Sequence, residues 1–282
     1  MIRILTDSAS DLTATDSARP GVYTVPLSVT FADGTGGLDG VELTADEFYA
    51  HLKVDKVPPR TSQPSPQSFM TIFEDAKENG DQVIAILISS NLSGTYQCAR
   101  LAAESCDFED VFFVDSRTAS QGEGILIREA LRLRDEEHLP AHAIVAELEQ
   151  LKQRIRVLAV VDSLKHLQKG GRLPAAVAIV GGALGIKPVL ALSDGAIHLV
   201  DKGRGRPGAL VAMYRQLDKQ GGVDPAYGYT LLYSDDKQLT APVHHYLHQN
   251  LHLTGGRVGQ IGPPIGPHIG PGAVGVAFVI PE

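Results

Sequence analysis

Four short apolar runs, Ile4–Ser8, Val83–Ser90, Val111–Ser116 and Val157–Ser163, end in small polar residues, and each leads into a stretch of helical character. This alternation constrains the fold more than any other feature. Strands buried on both faces read as continuous apolar runs, and parallel strands need crossover connections, usually helices. Helical stretches are expected at Ala45–Leu52, Gln67–Glu78, Ser93–Glu104, Gly124–Glu136 and Ala141–Gln153. Ser, Asp and Asn at the strand tips serve as N-caps without any further role. Open parallel sheets also gather ligands beyond the carboxyl ends of their strands, where Asp7, Ser8, Ser89, Ser90, Asp115 and Ser116 would collect.

After about residue 155 glycines break the chain into smaller pieces, at Gly170-Gly171, Gly181-Gly182, Gly185, Asp194-Gly195 and Gly203-Arg204-Gly205-Arg206. Two α/β domains are therefore expected, residues 1–155 and residues 156–282. The second should hold a strand at Val157–Val161, a helix at Ala175–Ala183, strands at Pro188–Leu192 and His198–Val200, a helix at Pro207–Gln220, a strand at Tyr229–Tyr233 and a helix at Thr240–Leu251. Asp194-Gly195 between two apolar runs is a hairpin signal. The apolar run Ala273–Ile280 reads as a final strand inside a sheet. No repeat or low-complexity linker separates the halves, so they should pack directly together.

A length of 282 residues with 43% hydrophobic content allows about two substantial cores. The net charge of −8 argues against coating nucleic acid or anionic lipid by overall attraction. Cys98 and Cys106 are too few for a disulfide framework or a structural zinc site and are expected to be buried, reduced packing residues. The start at Met1 lacks the pattern of a secretory leader, and no apolar run is long enough to span a bilayer, so the expected compartment is the cytoplasm.

Several segments have side chains suited to chemistry. Gly262–Gly272 is too rich in glycine and proline for a helix or a regular ladder strand, so it either aims His268 at something or simply makes a tight turn. In Ser89–Tyr96 a strand tip passes into a helix whose opening turn holds Ser93, Gly94 and Thr95; this reads as an anion seat or as ordinary capping. Lysine-bearing P-loop spacing and a Gly-x-Ser-x-Gly elbow are both absent. Arg60–Pro66 offers pre-set hydroxyls, or only a capped helix start. Lys165, His166, Lys169, Arg172, Lys202, Arg204 and Arg206 form a basic series, either a docking face or a solvated surface. His244 and His248 stand at metal-ligand spacing, but their helix supplies no acidic third ligand, and no metal site is expected.

Seven of these pieces, in this order, resemble the DegV family of bacterial fatty-acid-binding proteins: Thr6-Asp7-Ser8, Thr61–Pro66, Ser89–Tyr96, Asp115-Ser116, Leu167–Arg172, Ile186-Lys187-Pro188 and Gly266–Gly272. The resemblance spans almost the whole chain. It implies a parallel three-layer α/β first domain and a second α/β domain with a mixed sheet. It also implies a lipid-binding carrier, not an enzyme, which holds a long-chain fatty acid and presents its carboxylate to a separate ATP-dependent kinase for acyl-phosphate formation. By position the carboxylate-binding residues would be Thr61, Ser62, Ser93, Gly94 and His268, with Arg172 and Arg204 facing the kinase. Cys98 stands where the family more usually has a small polar residue, and Pro267 stiffens the residue before His268.

No cofactor is expected beyond the bound fatty acid. The expected partners are the fatty acid, a dihydroxyacetone-kinase-like fatty-acid kinase and, transiently, a membrane surface, but not nucleic acid. Two other functions compete: a stand-alone hydrolase or phosphatase using Ser93 with His268, and a regulatory module that contains no lipid.

Overall fold

A computed structural model describes residues 1–54, 57–173 and 185–282. The first half is built on a parallel sheet of four strands in the order Val22–Val25, Ile2–Asp7, Gln82–Leu87, Val111–Asp115. Because successive strand residues face opposite sides, Ile4, Ile84 and Ile86 pack against one helical layer and Leu5, Val83, Ala85 and Leu87 against the other. The first layer holds Gln121–Asp135 and Ala141–Leu151, the second Pro66–Asn79 and Thr95–Ser105, giving three layers. Ser65 caps Pro66–Asn79 by accepting from Ser68 N at 3.2 Å, with Pro66 in the first turn, and Gly80 ends it in the left-handed region.

The second half contributes a six-stranded mixed sheet, Ala196–Arg204, Ile186–Ser193, Ile155–Val160, Val274–Val279, Tyr229–Tyr233, Arg257–Gln260, in which only the last pair is parallel. Asp194 and Gly195, both at positive φ, close the expected hairpin between its first two strands. The final strand is buried along its whole length between two neighbours. One sheet face, with Leu158, Val160, Val189 and Val276, is covered by the helices Gly205–Lys219 and Ala241–Gln249. The other face, with Val157, Leu190, Leu232 and Ala277, turns toward the first half and shares one core with Ile4, Ile84, Leu126 and Ile144.

Several elements depart from the sequence reading. A small antiparallel sheet, Gly36–Leu38, Ser28–Thr30, Arg60–Ser62, went unanticipated because three-residue strands carry too little alternation to be read. The Gly262–Gly272 segment, expected to hold no helix, contains a single helical turn, Gly266–Ile269. Pro267 in that first turn sacrifices no intrahelical bond, and Gly270 at φ 78° ends it. The expected helix at Ala175–Ala183 lies outside the described residues. Cys98 is buried, but Cys106 is only half-buried; both are free thiols. No helix among the described residues is long and apolar enough to cross a membrane.

Buried carboxyls crowd the junction of the halves. Asp7 accepts hydrogen bonds from Ile88 N at 2.9 Å and Ala9 N at 3.0 Å, whereas among the described residues fully buried Glu123 has one partner, the Thr6 hydroxyl at 2.9 Å, and its second oxygen has none. Burial is the main cause that pushes Asp7 up to about 7 and Glu123 well above the carboxylate range. Asp7, with its two N–H donors, is the better carrier of charge; Glu123 keeps its proton. Carboxyls with raised folded-state pKa contribute stability that is fully present below their unfolded values, about 4, and lost as pH rises through the folded ones. Glu123→Gln, a neutral isostere, should therefore be nearly as stable as the wild type at about pH 4 and lose less stability toward pH 9. Urea denaturation across that range checks this; parallel curves for the two proteins would mean that folding does not raise the pKa of Glu123.

Candidate functional site

Between the parallel sheet's carboxyl ends and the inward face of the mixed sheet lies a pocket with about 860 Å³ of empty space, the open solvent at its mouth included. Strand alternation supplies its far wall, Val157, Ala159, Leu190, Leu192, Ile197 and Leu232. Leu27, Ile88, Leu92 and Ala119 come from loops of the first half, and Leu167, Ile261, Ile265 and Ile269 from loops and short helices of the second. The polar side chains in the lining are Thr61, Ser93, Ser120, Arg172 and His268. Ser120 is already committed to the Asp11 carboxylate.

The His268 loop is pinned along its length. Gly262 N donates to Asp11 Oδ1 at 2.9 Å, the Tyr49 hydroxyl donates to Ile261 O at 2.9 Å, and Gly272 N donates to Asp235 Oδ1 at 2.7 Å. A second device fixes the ring itself. A β-carbon on Gly170 would lie 2.2 Å from His268 Nδ1, and one on Gly270 would lie 2.6 Å from the His166 ring. The turns Lys165–Lys169 and Gly266–Ile269 thus each end in a glycine that receives the histidine of the other. His166 Nδ1 lies 3.3 Å from Pro267 O, closing the pair.

His268 Nε2 lies 3.1 Å from Thr61 Oγ1, while buried Nδ1 has no hydrogen-bond partner among the described residues. Burial first, then the positive charge of Arg172 and the nearby His166, holds the imidazole down to about 4, so it is neutral at physiological pH. An orphaned buried N–H is the costlier arrangement, so we assign the proton to Nε2, donating to Thr61. That leaves the Thr61 hydroxyl hydrogen free for an anion. Ser93 Oγ is 2.8 Å from Thr95 Oγ1. Arg172 donates from Nε to Leu92 O at 3.1 Å and from Nη1 to Gly170 O at 2.6 Å.

Thr61, Ser93 and His268, drawn from distant segments, therefore line one cavity. Ser62 and Gly94 do not. Ser62 is exposed on the opposite face of a short strand from Thr61, and Gly94 is exposed, with its Cα against the Gln63 amide. Arg172, expected to face a partner, turns its guanidinium inward to brace the mouth, whereas Arg204 is exposed at the end of the strand Ala196–Arg204. None of the strand-tip residues Asp7, Ser8, Ser89, Ser90, Asp115 and Ser116 lines the apolar cavity. They brace loops instead: Asp115 accepts from Ser90 N at 3.2 Å and Arg117 N at 3.1 Å, and Ser89 Oγ donates to Gly195 O at 2.9 Å. The reciprocal glycines Gly170 and Gly270 were not among the expected site residues. Gly-Gly and Gly-Pro pairs beside His-bearing turns were the available signal.

A family model described as "Uncharacterised protein, DegV family" matches residues 1–281. The chain is 37% identical to a DegV domain-containing protein of Caldanaerobacter subterraneus subsp. tengcongensis, covering 98% of each chain. Among solved structures it is similar to a fatty-acid-binding DegV family protein from Thermus thermophilus, with 33% identity, TM-score 0.87 and 99% of each chain covered. It is also similar to DegV, a fatty acid binding protein from Bacillus subtilis, with 28% identity, TM-score 0.86 and 99% of each chain covered. A stearic acid-binding protein from Eubacterium ventriosum aligns with 28% identity and TM-score 0.85, covering 99% of this chain and 98% of that one.

Gly170 has ordinary right-handed backbone angles, so alanine there adds a clash without backbone strain. Gly170→Ala should cost about 1–3 kcal/mol of stability, the usual range for overpacking. It should also push the His268 ring outward and raise its pKa toward that of a solvated histidine. Denaturation and imidazole NMR read the two effects; an unchanged His268 resonance would show that the ring does not need the glycine.

Proposed function

The chain belongs to the DegV family, and from that premise we propose that it binds one long-chain fatty acid, with the tail in the apolar cavity and the carboxylate at Thr61, Ser93 and His268. The observation that carries this reading is one cavity whose walls are mainly aliphatic and whose lining includes Ser93 and the Thr61–His268 pair. A tail of about fifteen methylenes gains on the order of 12 kcal/mol by burial, at roughly 0.8 kcal/mol each before ordering costs. The tail supplies affinity and the head group supplies orientation.

The Thr61 hydroxyl, oriented by the neutral His268 ring, and the Ser93 hydroxyl hold a carboxylate without the bidentate grip of an arginine clamp. An oxygen then stays available to attack ATP when a separate fatty-acid kinase brings the nucleotide, and this chain acts as a carrier with no catalysis of its own. Against a hydrolase, Ser93 Oγ is paired with Thr95 and His268 Nε2 with Thr61, so the nucleophile–base contact that chemistry requires is not formed. Exposed Arg204 is the residue we assign to kinase docking.

Protein purified from a bacterial host should release about one fatty acid per chain on denaturing extraction, read by mass spectrometry. Lipid-free protein that also takes up no added fatty acid would sink the reading. Replacing Ser93 by alanine should cost about 1–3 kcal/mol of binding, the worth of one hydrogen bond to a charged group, and replacing His268 should free the Thr61 hydroxyl from its preset direction, with acyl-phosphate formation suffering more in both. A carboxylate beside the imidazole favours its charged form, so His268 should titrate above its unliganded value of about 4 once the ligand is bound. Arg204→Glu should weaken kinase-dependent turnover and leave fatty-acid affinity unchanged; equal loss of both would remove Arg204 from the docking surface.

A further inference from the structure

A second cleft, with about 1220 Å³ of empty space including the open solvent at its mouth, lies between the helix Gln121–Asp135 and the edge of the mixed sheet, and it shares no lining residue with the apolar cavity. Arg128 stands in its wall with a side chain only 14% exposed. The guanidinium has three neighbours, Gln121 Oε1 at 3.3 Å, Thr230 Oγ1 at 3.3 Å and Asp16 Oδ2 at 3.6 Å, none at the distance of about 2.7–2.9 Å usual for a charge-assisted hydrogen bond. Burial is the main cause that lowers Arg128 to about 10; Asp16 opposes the fall and the charge of Arg257 adds to it, and the group stays charged at physiological pH. Arg257, on the edge strand Arg257–Gln260, is the register partner of Thr230, so the two side chains leave the same face of the sheet. It is exposed and has no ion pair among the described residues. Thr230 is 3% exposed; its oxygen accepts from Arg128 Nη2, and its own hydrogen has no acceptor among the described residues.

Two guanidinium groups with unused donors and one buried hydroxyl hydrogen thus converge, in a chain whose net charge is −8. Like charges held this close repel, and an anion between them turns the repulsion into attraction. The acidic side chains of the lining leave that place open. Asp16 offsets one guanidinium, Glu129 is held by Arg132 at 2.7 Å, and Glu136 stands eight residues beyond Arg128, about 12 Å along the helix axis. Arg19, the remaining cation, is paired with Asp135. We propose that Arg128, Arg257 and Thr230 form a binding site for a phosphate group, either free phosphate or the phosphate end of a small monoester, at the joint between the two halves. A tetrahedral oxyanion offers acceptors in several directions, which suits donors that arrive from a helix, a strand interior and a strand edge. The site stands whatever fills the apolar cavity.

The test titrates inorganic phosphate and methyl phosphate, at constant ionic strength, into the full chain by calorimetry. It uses the wild type, Arg257→Gln, Thr230→Val and, as a control on an exposed cation outside the cleft, Arg100→Gln. Arg128 is left intact because it is buried. The wild type should bind at least one of the two ligands saturably. Arg257→Gln should weaken that binding by about tenfold or more, the loss of a charge-assisted contact. Thr230→Val, which removes the hydroxyl and keeps the shape, should weaken it by about fivefold, and Arg100→Gln by less than about twofold. Tighter binding of methyl phosphate assigns the site to a monoester and tighter binding of phosphate to the free ion; both uphold it. Urea denaturation checks that each variant is folded, and Arg257→Gln, at an exposed position, carries the test if Thr230→Val does not fold. Absence of saturable binding to the wild type, equal affinity in the wild type and Arg257→Gln, or a loss as large in Arg100→Gln would overturn the site.

Discussion

A six-stranded sheet has two faces to cover, and in this protein only one of them is covered by its own helices. Gly205–Lys219 and Ala241–Gln249 close over Leu158, Val160 and Val276; the face carrying Val157, Leu190, Leu232 and Ala277 has to be buried by the other half of the chain. The helix Gln121–Asp135 meets that need. Its buried residues run from Gln121 to Leu133 with few interruptions, and it touches strands of both sheets. Beyond the start of this helix, loops take over the covering. Loops cannot fill an aliphatic sheet surface as closely as a helix ridge does, and the cavity lies there.

The same arrangement explains why the strand tips do not line the apolar cavity. In an open parallel sheet the carboxyl ends face solvent. In this chain the mixed sheet's hairpin is docked on them, with Gly195 N donating to Arg117 O at 2.8 Å and Ser89 Oγ donating to Gly195 O. A β-carbon on Gly195 would meet the Asn91 amide at 2.8 Å, so the hairpin tip approaches as only glycine allows. The polar rim becomes a joint, and the polar end of the cavity falls beside it, at Ser93 and the short strand bearing Thr61.

At that end electrostatics and packing are one problem. His268 is held by two reciprocal glycine contacts and kept neutral by burial, with Arg172 adding to the depression of its pKa. A neutral ring can donate without carrying a desolvated charge of its own when the cavity has no anion in it. The Thr61–His268 contact then presets the direction in which the threonine hydroxyl donates. On the proposed reading, affinity resides in the aliphatic wall, and this preset pair decides which end of the ligand faces the surface.

The sequence by itself determined the element types and their order. The apolar runs at Ile4, Val83 and Val111, the hairpin at Asp194-Gly195 and the capped helix after Ser65 are local patterns, written in residues adjacent along the chain. It also carried the seven ordered pieces that identify the family, since these are runs of neighbouring residues. Only the tertiary structure decided which of those pieces meet. Thr61 and His268 stand 207 positions apart, and nothing in either segment says that the other will be within hydrogen-bond distance. The face that Ser62 shows, the inward turn of Arg172 and the exchange of Gly170 and Gly270 between two histidines follow from strand register and from the approach of two short helical turns. Periodicity records which residues are buried; the partners they are buried against are fixed only when two sheets close on a single shared core.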